Sequence, residues 1–123
     1  MDQADDATLL EAIAARRDQQ ALETLFTRYE RQSFSLAFAL TGNRASAEDA
    51  VQSAMLKLWR FAHKFRRGEG LARGWILRIV VNESNYLVKK RRRDARLGHE
   101  QGLETPLAGS YEAGEAGVRE ELL

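Results

Sequence analysis

Arg78, Asn82, Asn85 and Lys89 stand four, three and four residues apart within "WILRIVVNESNYLVKKRRR", residues 75–93. On a helix that spacing puts all four on one face. The chemistry on offer is recognition, not bond making. Arg presents donors in a planar fork, and Asn presents donor and acceptor together, as base edges require. Lys89, Lys90, Arg91, Arg92 and Arg93 then form a run of five cations suited to phosphates. A face kept only for solvation more often alternates Glu with Lys. The plainer alternative is that Asn82 and Asn85 are tolerated polar positions or members of a buried network.

The preceding segment "RRGEGLARG", residues 66–74, adds Arg66, Arg67 and Arg73 as flexible cations. Its glycines let backbone approach a ligand closely. It lacks the Gly-Lys-Ser/Thr ending of a phosphate-cradling loop. It suits a single strand better than a duplex groove, with cations for the backbone and room for an unstacked base. A solvated connector is the bland alternative.

A second face lies upstream. Asp49, Gln52, Leu56 and Trp59 are three, four and three apart, away from the apolar stripe of the same segment. Trp and Leu flanked by Gln and a carboxylate fit a protein-binding patch. Equally, a helix buried on two sides would make Trp59 ordinary core. Enzymatic signals fail: His63 and His99 lack ligand-spaced companions, and adjacent Glu48 and Asp49 point apart on a helix. No nucleophile–base arrangement is present, so the reading is not an enzyme, with no metal and no cofactor.

These faces need elements to hold them. Breakers are sparse: the sole Pro106 lies near the end, and Gly42 stands alone ahead of the glycines of 68–74 and 98–117. Apolar residues at helical spacing predict an all-α compact bundle of about four helices. The first runs through "ATLLEAIAARR", capped by Asp5 or Asp6, with Leu9, Leu10 and Ile13 inward. The second spans 19–41, with Leu22, Leu25, Phe26, Tyr29, Ser33, Leu36, Ala37 and Leu40 on one face and Gly42 at its end. Asn43 or Ser46 caps a third helix running to about Phe65, with Glu48 and Asp49 in its first turn. Its core stripe is Ala47, Val51, Ala54, Leu58, Phe61 and Phe65. The fourth begins near Gly74 or Trp75, with Trp75, Ile76, Ile79, Val80 and Leu87 inward. Residues 5–95 form the domain, and 96–123 read as a linker or weakly ordered, flexible tail.

Charge placement agrees. Residues 57–96 hold thirteen Lys/Arg against three Asp/Glu, whereas 1–56 hold five against nine and 97–123 one against six. A basic middle between acidic ends points to a polyanionic partner. The absence of cysteine excludes disulfides and suits a cytoplasmic location. No apolar run reaches the roughly 18 residues that span a bilayer, and the acidic start is unlike a signal peptide.

The segment "ALETLFTRYERQSFSLAFALTGNRASAEDAVQSAMLKLWRFAHKF", with "WILRIVVN" and "KKRRR" downstream, resembles region 2 of bacterial sigma factors, most closely the extracytoplasmic-function (ECF) group. The resemblance implies a promoter-recognition domain. Asp49, Gln52 and Trp59, with Leu56 between them, match positions that face the clamp helices of the largest subunit of core RNA polymerase. Trp75 matches a packing anchor, and Arg78 and Asn82 match residues on the DNA side. There the family captures a base flipped from the non-template strand of the −10 element, and its basic run follows the DNA backbone. An anti-sigma factor is a further partner the resemblance admits, and no membrane is implied. Ala72 stands where family loops usually carry an aromatic, Tyr86 where Asp is frequent, and Arg17 where a turn Gly is usual. No counterpart of the family's second helical domain, region 4, is seen in this sequence. Two other readings stand beside this one: a sigma-like interaction module that does not read DNA, and a general single-strand binder.

Overall fold

A computed structural model describes residues 4–101, with side chains through 97. Four helices occur in chain order: α1 (Asp6–Arg16), α2 (Gln19–Thr41), α3 (Arg44–Phe61) and α4 (Ala72–Gln101). A short 3₁₀ turn, Ala62–Lys64, follows α3. Three helix starts are set by side-chain caps that satisfy otherwise unpaired backbone donors. Asp5 accepts from the Thr8 N–H at 2.8 Å, Asp18 from Ala21 at 3.1 Å and Asn43 from Ser46 at 2.8 Å. Gly42 ends α2 in the left-handed region at φ 69° and donates to the Phe38 carbonyl at 2.7 Å.

The expected all-α bundle is present, with boundaries that differ in informative places. Because α3 starts at Arg44, Glu48 and Asp49 lie beyond its first turn. The helix stops at Phe61 rather than Phe65, and the 3₁₀ turn redirects the chain. Phe65 then packs edge-on against Trp75, with ring centroids 5.7 Å apart. α4 begins at Ala72, so Gly74 lies inside it; the left-handed loop positions are Gly68 and Gly70. α4 also continues past residue 95 to Gln101. A lone glycine such as Gly98 costs a helix only about 1 kcal/mol, so the change of composition there does not end it. The tail reading for 102–123 lies outside the described residues.

The core is drawn from all four helices: Leu10 and Ile13, Leu25, Tyr29 and Ala37, Ala47, Ala50, Ala54 and Leu58, and Ile76, Ile79 and Val80. Leu40 was expected inside and is 39% exposed, because the apolar stripe of α2 ends at Ala37. Trp75 and Leu87 are half-buried against the core. No helix among the described residues is long and apolar enough to cross a membrane.

Two polar arrangements hold the helices in place. Tyr29 donates its hydroxyl to Asp6 Oδ2, and Arg28 Nη1 meets Asp6 Oδ1 at 2.8 Å, joining α1 to α2. Burial, then the hydrogen bond to the Asp6 carboxylate, pushes the Tyr29 phenol up to about 12. Between α3 and α4, Lys57 Nζ lies 3.3 Å from Glu83 Oε2, with both side chains almost wholly buried. Burial lowers the Lys57 pKa, and the Glu83 charge opposes that shift.

Removing one partner of a buried ion pair leaves the other charge unpaired, at a cost of about 3–5 kcal/mol, whereas replacing both with apolar groups is often neutral. Urea unfolding should therefore show Lys57→Met losing about 3 kcal/mol or more, and Lys57→Met with Glu83→Leu regaining most of it. A single-variant loss below about 1 kcal/mol would show the pair to be dispensable. Tyr29 gives a pH signature. The folded state keeps a proton that the unfolded chain releases near pH 10, so this contribution is complete below pH 10 and is lost as pH rises toward 12. Wild type should lose stability across that window more steeply than Tyr29→Phe; parallel profiles would contradict the assignment.

Candidate functional site

On α3, Asp49 and Gln52 are exposed, Leu56 is 58% exposed and Trp59 is half-buried. Trp59 is thus both core-packed and surface-presented. Gln52, Leu56 and Trp59 line a groove of about 540 Å³, whose opposite wall is the first half of α2. Leu22 and Phe26 supply that wall, with Gln19 and Glu23 at the rim. Asp49 lies one turn farther along α3, outside the groove lining. Sequence reasoning placed Leu22 and Phe26 in the core and missed the groove. The signal was the width of the α2 stripe, which is too broad for one packing partner. Phe26 and Gln52 also border an adjoining depression of about 980 Å³, lined as well by Arg28, Arg31 and Glu30 and by the Arg44–Glu48 ion pair at 3.2 Å.

The second face belongs to α4. Arg78, Asn85 and Lys89 are exposed, and Asn82 between them is half-buried, its Nδ2 without a hydrogen-bond partner. The helix divides the five-cation run. Lys89, Arg92 and Arg93 continue the exposed stripe. Lys90 is turned aside to Asp94 at 3.0 Å, and Arg91 Nη1 donates to Ser46 Oγ at 3.3 Å, tying α4 to the start of α3. Lys90 and Arg91 therefore act partly within the fold. Arg96, exposed and four residues beyond Arg92, lengthens the stripe. In the sequence it stands past the five-cation run, where the change of composition near 96 hides its place on the stripe.

The loop before α4 also corrects one assignment. Arg67, expected as a flexible cation, makes a forked contact with Glu11, Nε to Oε2 and Nη2 to Oε1, each at 3.0 Å. It also donates to Thr8 Oγ1 at 3.2 Å and lies 3.6 Å from Asp5. The Arg67 hydrogen bonds hold the Glu11 carboxyl below its ordinary range, and Glu11 raises Arg67 in turn. Arg67 fastens the loop to α1 because the 3₁₀ turn carries the chain across that helix. Arg66 is exposed and reaches back to the His63 carbonyl at 2.9 Å; Arg73 is exposed. Between them Leu71 is 78% exposed. A cleft of about 590 Å³ here is lined by Asp5, Asp6, Phe65, Arg67, Leu71 and Arg73, so both signs of charge and an apolar wall meet in it. Among the described residues no group of three or more His, Cys, Asp or Glu is placed to hold a metal ion.

Arg67→Ala should speed amide hydrogen exchange across residues 65–71 while moving the melting temperature by no more than roughly 2 °C, since exposed ion pairs contribute little stability. Unchanged exchange would mean that the loop is held by something other than α1.

The described geometry is that of a helical bundle with a groove on α2 and α3 and a polar, cationic stripe on α4. A family model for Sigma-70 region 2 matches residues 25–94. The ECF RNA polymerase sigma factor SigM of Mycobacterium tuberculosis (strain ATCC 25618 / H37Rv) is 42% identical over 77 residues, covering 63% of this chain and 38% of that protein. The RNA polymerase sigma-H factor of Pseudomonas aeruginosa is 30% identical over 92 residues, covering 74% of this chain and 47% of that protein. The chain spans less than half the length of these curated relatives. No solved structure gives a significant match.

Proposed function

The chain belongs to the Sigma-70 region 2 family, and from that premise we propose that it is the promoter-recognition domain of an alternative sigma factor. The outer face of α3 docks on the clamp helices of the largest subunit of core RNA polymerase. The α4 stripe and its loop capture and help melt the −10 element through the non-template strand. The role needs no covalent chemistry, metal or cofactor. It places the protein in the cytoplasm, where polymerase is, and makes the exposed groove a natural target for an anti-sigma factor.

The observation that carries this reading is the stripe on α4. Arg78, Asn82, Asn85, Lys89 and Arg92 follow one another at helical spacing, beside a loop whose Gly68 and Gly70 adopt left-handed backbone. Extracting a base costs a few kcal/mol, which pocket hydrogen bonds, stacking and phosphate contacts must offset. The Asn82 Nδ2 has no hydrogen-bond partner within the fold, so turning this half-buried side chain out toward a strand breaks no hydrogen bond at that atom. Leu71 and Phe65 give the adjoining cleft an apolar wall against which a base can rest. The runner-up, an interaction module that docks on polymerase or an inhibitor without reading DNA, is favoured by the groove on α2 and α3. It shares the α3 face and differs only at α4, so one experiment separates the two.

That experiment measures binding of the chain, with core polymerase present, to single strands carrying the preferred −10 sequence or its scramble. Asn82→Ala should weaken the preferred strand roughly tenfold and the scramble far less, the scale of one lost base contact. Equal losses would reject base reading and leave the interaction module. Replacing Lys89, Arg92 and Arg93 with Gln should weaken both strands and lower the slope of log affinity against log salt by up to about 2, at about 0.7 per phosphate contact. An unchanged slope would remove those cations from the interface.

A further inference from the structure

Arg17 is the one non-glycine among the described residues with positive φ, at 51° with ψ 49°. It ends α1 and donates its backbone N–H to the Ile13 carbonyl at 2.9 Å. In this region Cβ crowds the neighbouring carbonyl, and such helix ends usually carry glycine. Glycine would make the same turn and the same backbone hydrogen bond without that strain. The side chain, rather than the turn, is the unusual feature. Strained positions of this kind concentrate where a protein acts on other molecules.

The Arg17 side chain packs on Trp59, which is itself part of the lining of the groove between α2 and α3. Its guanidinium carbon lies 3.9 Å from the centroid of the Trp59 ring, within cation–π range. Stacking uses the flat face of the guanidinium, and its in-plane N–H groups remain suited to a forked contact with a carboxylate. Trp59 lines the groove together with Leu56. Arg17 therefore adds positive charge at the Trp59 end, while Asp49, about three turns back along α3, adds negative charge beyond the other.

We propose that Arg17 and Trp59 form one composite contact of the docking face and that its occupant is a polymerase helix of matching polarity. That helix lays a carboxylate against the guanidinium of Arg17, an apolar side chain into the groove beside Leu56, and a basic or polar group toward Asp49. The inference rests on the polymerase-docking reading and goes beyond it, because residue 17 lies outside the matched residues 25–94 and carries arginine where the resemblance implies glycine. Strain at Arg17 is retained because the guanidinium holds the indole flat and presents a positive charge that glycine cannot supply.

The test compares the full 123-residue wild-type chain with Arg17→Gly, Arg17→Glu and Leu56→Glu. Each is assayed for binding to immobilised bacterial core RNA polymerase and for thermal unfolding. Arg17→Gly should melt at or above the wild-type temperature, since it relieves the left-handed strain, while binding roughly five- to tenfold more weakly. Arg17→Glu should bind more weakly still. A lower melting temperature for Arg17→Gly would assign the side chain a structural role and overturn the inference. So would unchanged affinity for Arg17→Gly while Leu56→Glu loses it, or Arg17→Glu binding as well as Arg17→Gly. If wild type does not bind, or Leu56→Glu costs nothing, the docking reading fails and takes this inference with it.

Discussion

The buried pair of Lys57 and Glu83 sets how α3 and α4 are turned toward one another. As a source of stability it is poor, because removing two charges from water offsets most of their attraction. Its effect is to penalise alternatives. Rotating α3 by one residue would bring Leu56 into the seam and carry Lys57 away, leaving Glu83 charged and buried without its 3.3 Å partner. At 3.6 residues per turn, the face of Asp49, Gln52, Leu56 and Trp59 lies roughly a third of a turn from Lys57. The face of Arg78, Asn82, Asn85 and Lys89 lies about as far from Glu83. One interaction thus fixes the orientation of both faces, and apolar contacts among Ala54, Leu58, Ile76, Ile79 and Val80 fill the space around it.

Where local chemistry decides, the sequence was readable. Asp5 and Asn43 cap helices with side-chain oxygens, and Gly42 ends α2. Where contacts between distant residues decide, it was not. Nothing near Phe61 announces the switch to a 3₁₀ turn, which answers to the packing of Phe65 on Trp75. Arg67 read as a free cation because its partner Glu11 is 56 residues away. Glu83 stands among Asn82, Ser84 and Asn85, where nothing local signals burial, yet Lys57 across the seam holds it inside. The sites divide the same way. The α4 stripe was visible as spacing within one helix, whereas the groove needed Leu22 and Phe26 from another.

Charge segregation along the chain is real, but the fold changes what it means. Of the cations in residues 57–96, Lys57 is committed to the core, Arg67 to α1, and Lys90 and Arg91 to Asp94 and Ser46. Under the proposed function these cations add to the long-range field around the DNA, while their contacts within the fold compete with direct phosphate contacts. Arg66, Arg73, Arg78, Lys89, Arg92, Arg93 and Arg96 are exposed along the loop and one side of α4. Internal commitment sharpens a diffuse basic region into a line, which suits an extended strand better than a patch would.

A line of cations on one small domain cannot by itself hold DNA open, since each extracted base costs a few kcal/mol and the available surface is limited. Under the proposed function the missing free energy comes from the other face, through docking on polymerase. That transfer requires the two faces to move as one body. If α3 and α4 slid freely, docking at the groove would leave the α4 stripe unconstrained, and its orientation would have to be fixed again, at an entropic cost, when DNA bound. The Lys57–Glu83 pair and the contact from Arg91 to Ser46 bridge α3 and α4 at two separated points along α4. Under that proposal, rigid coupling between the groove and the stripe is what lets a weak single-strand binder act once polymerase holds it in place.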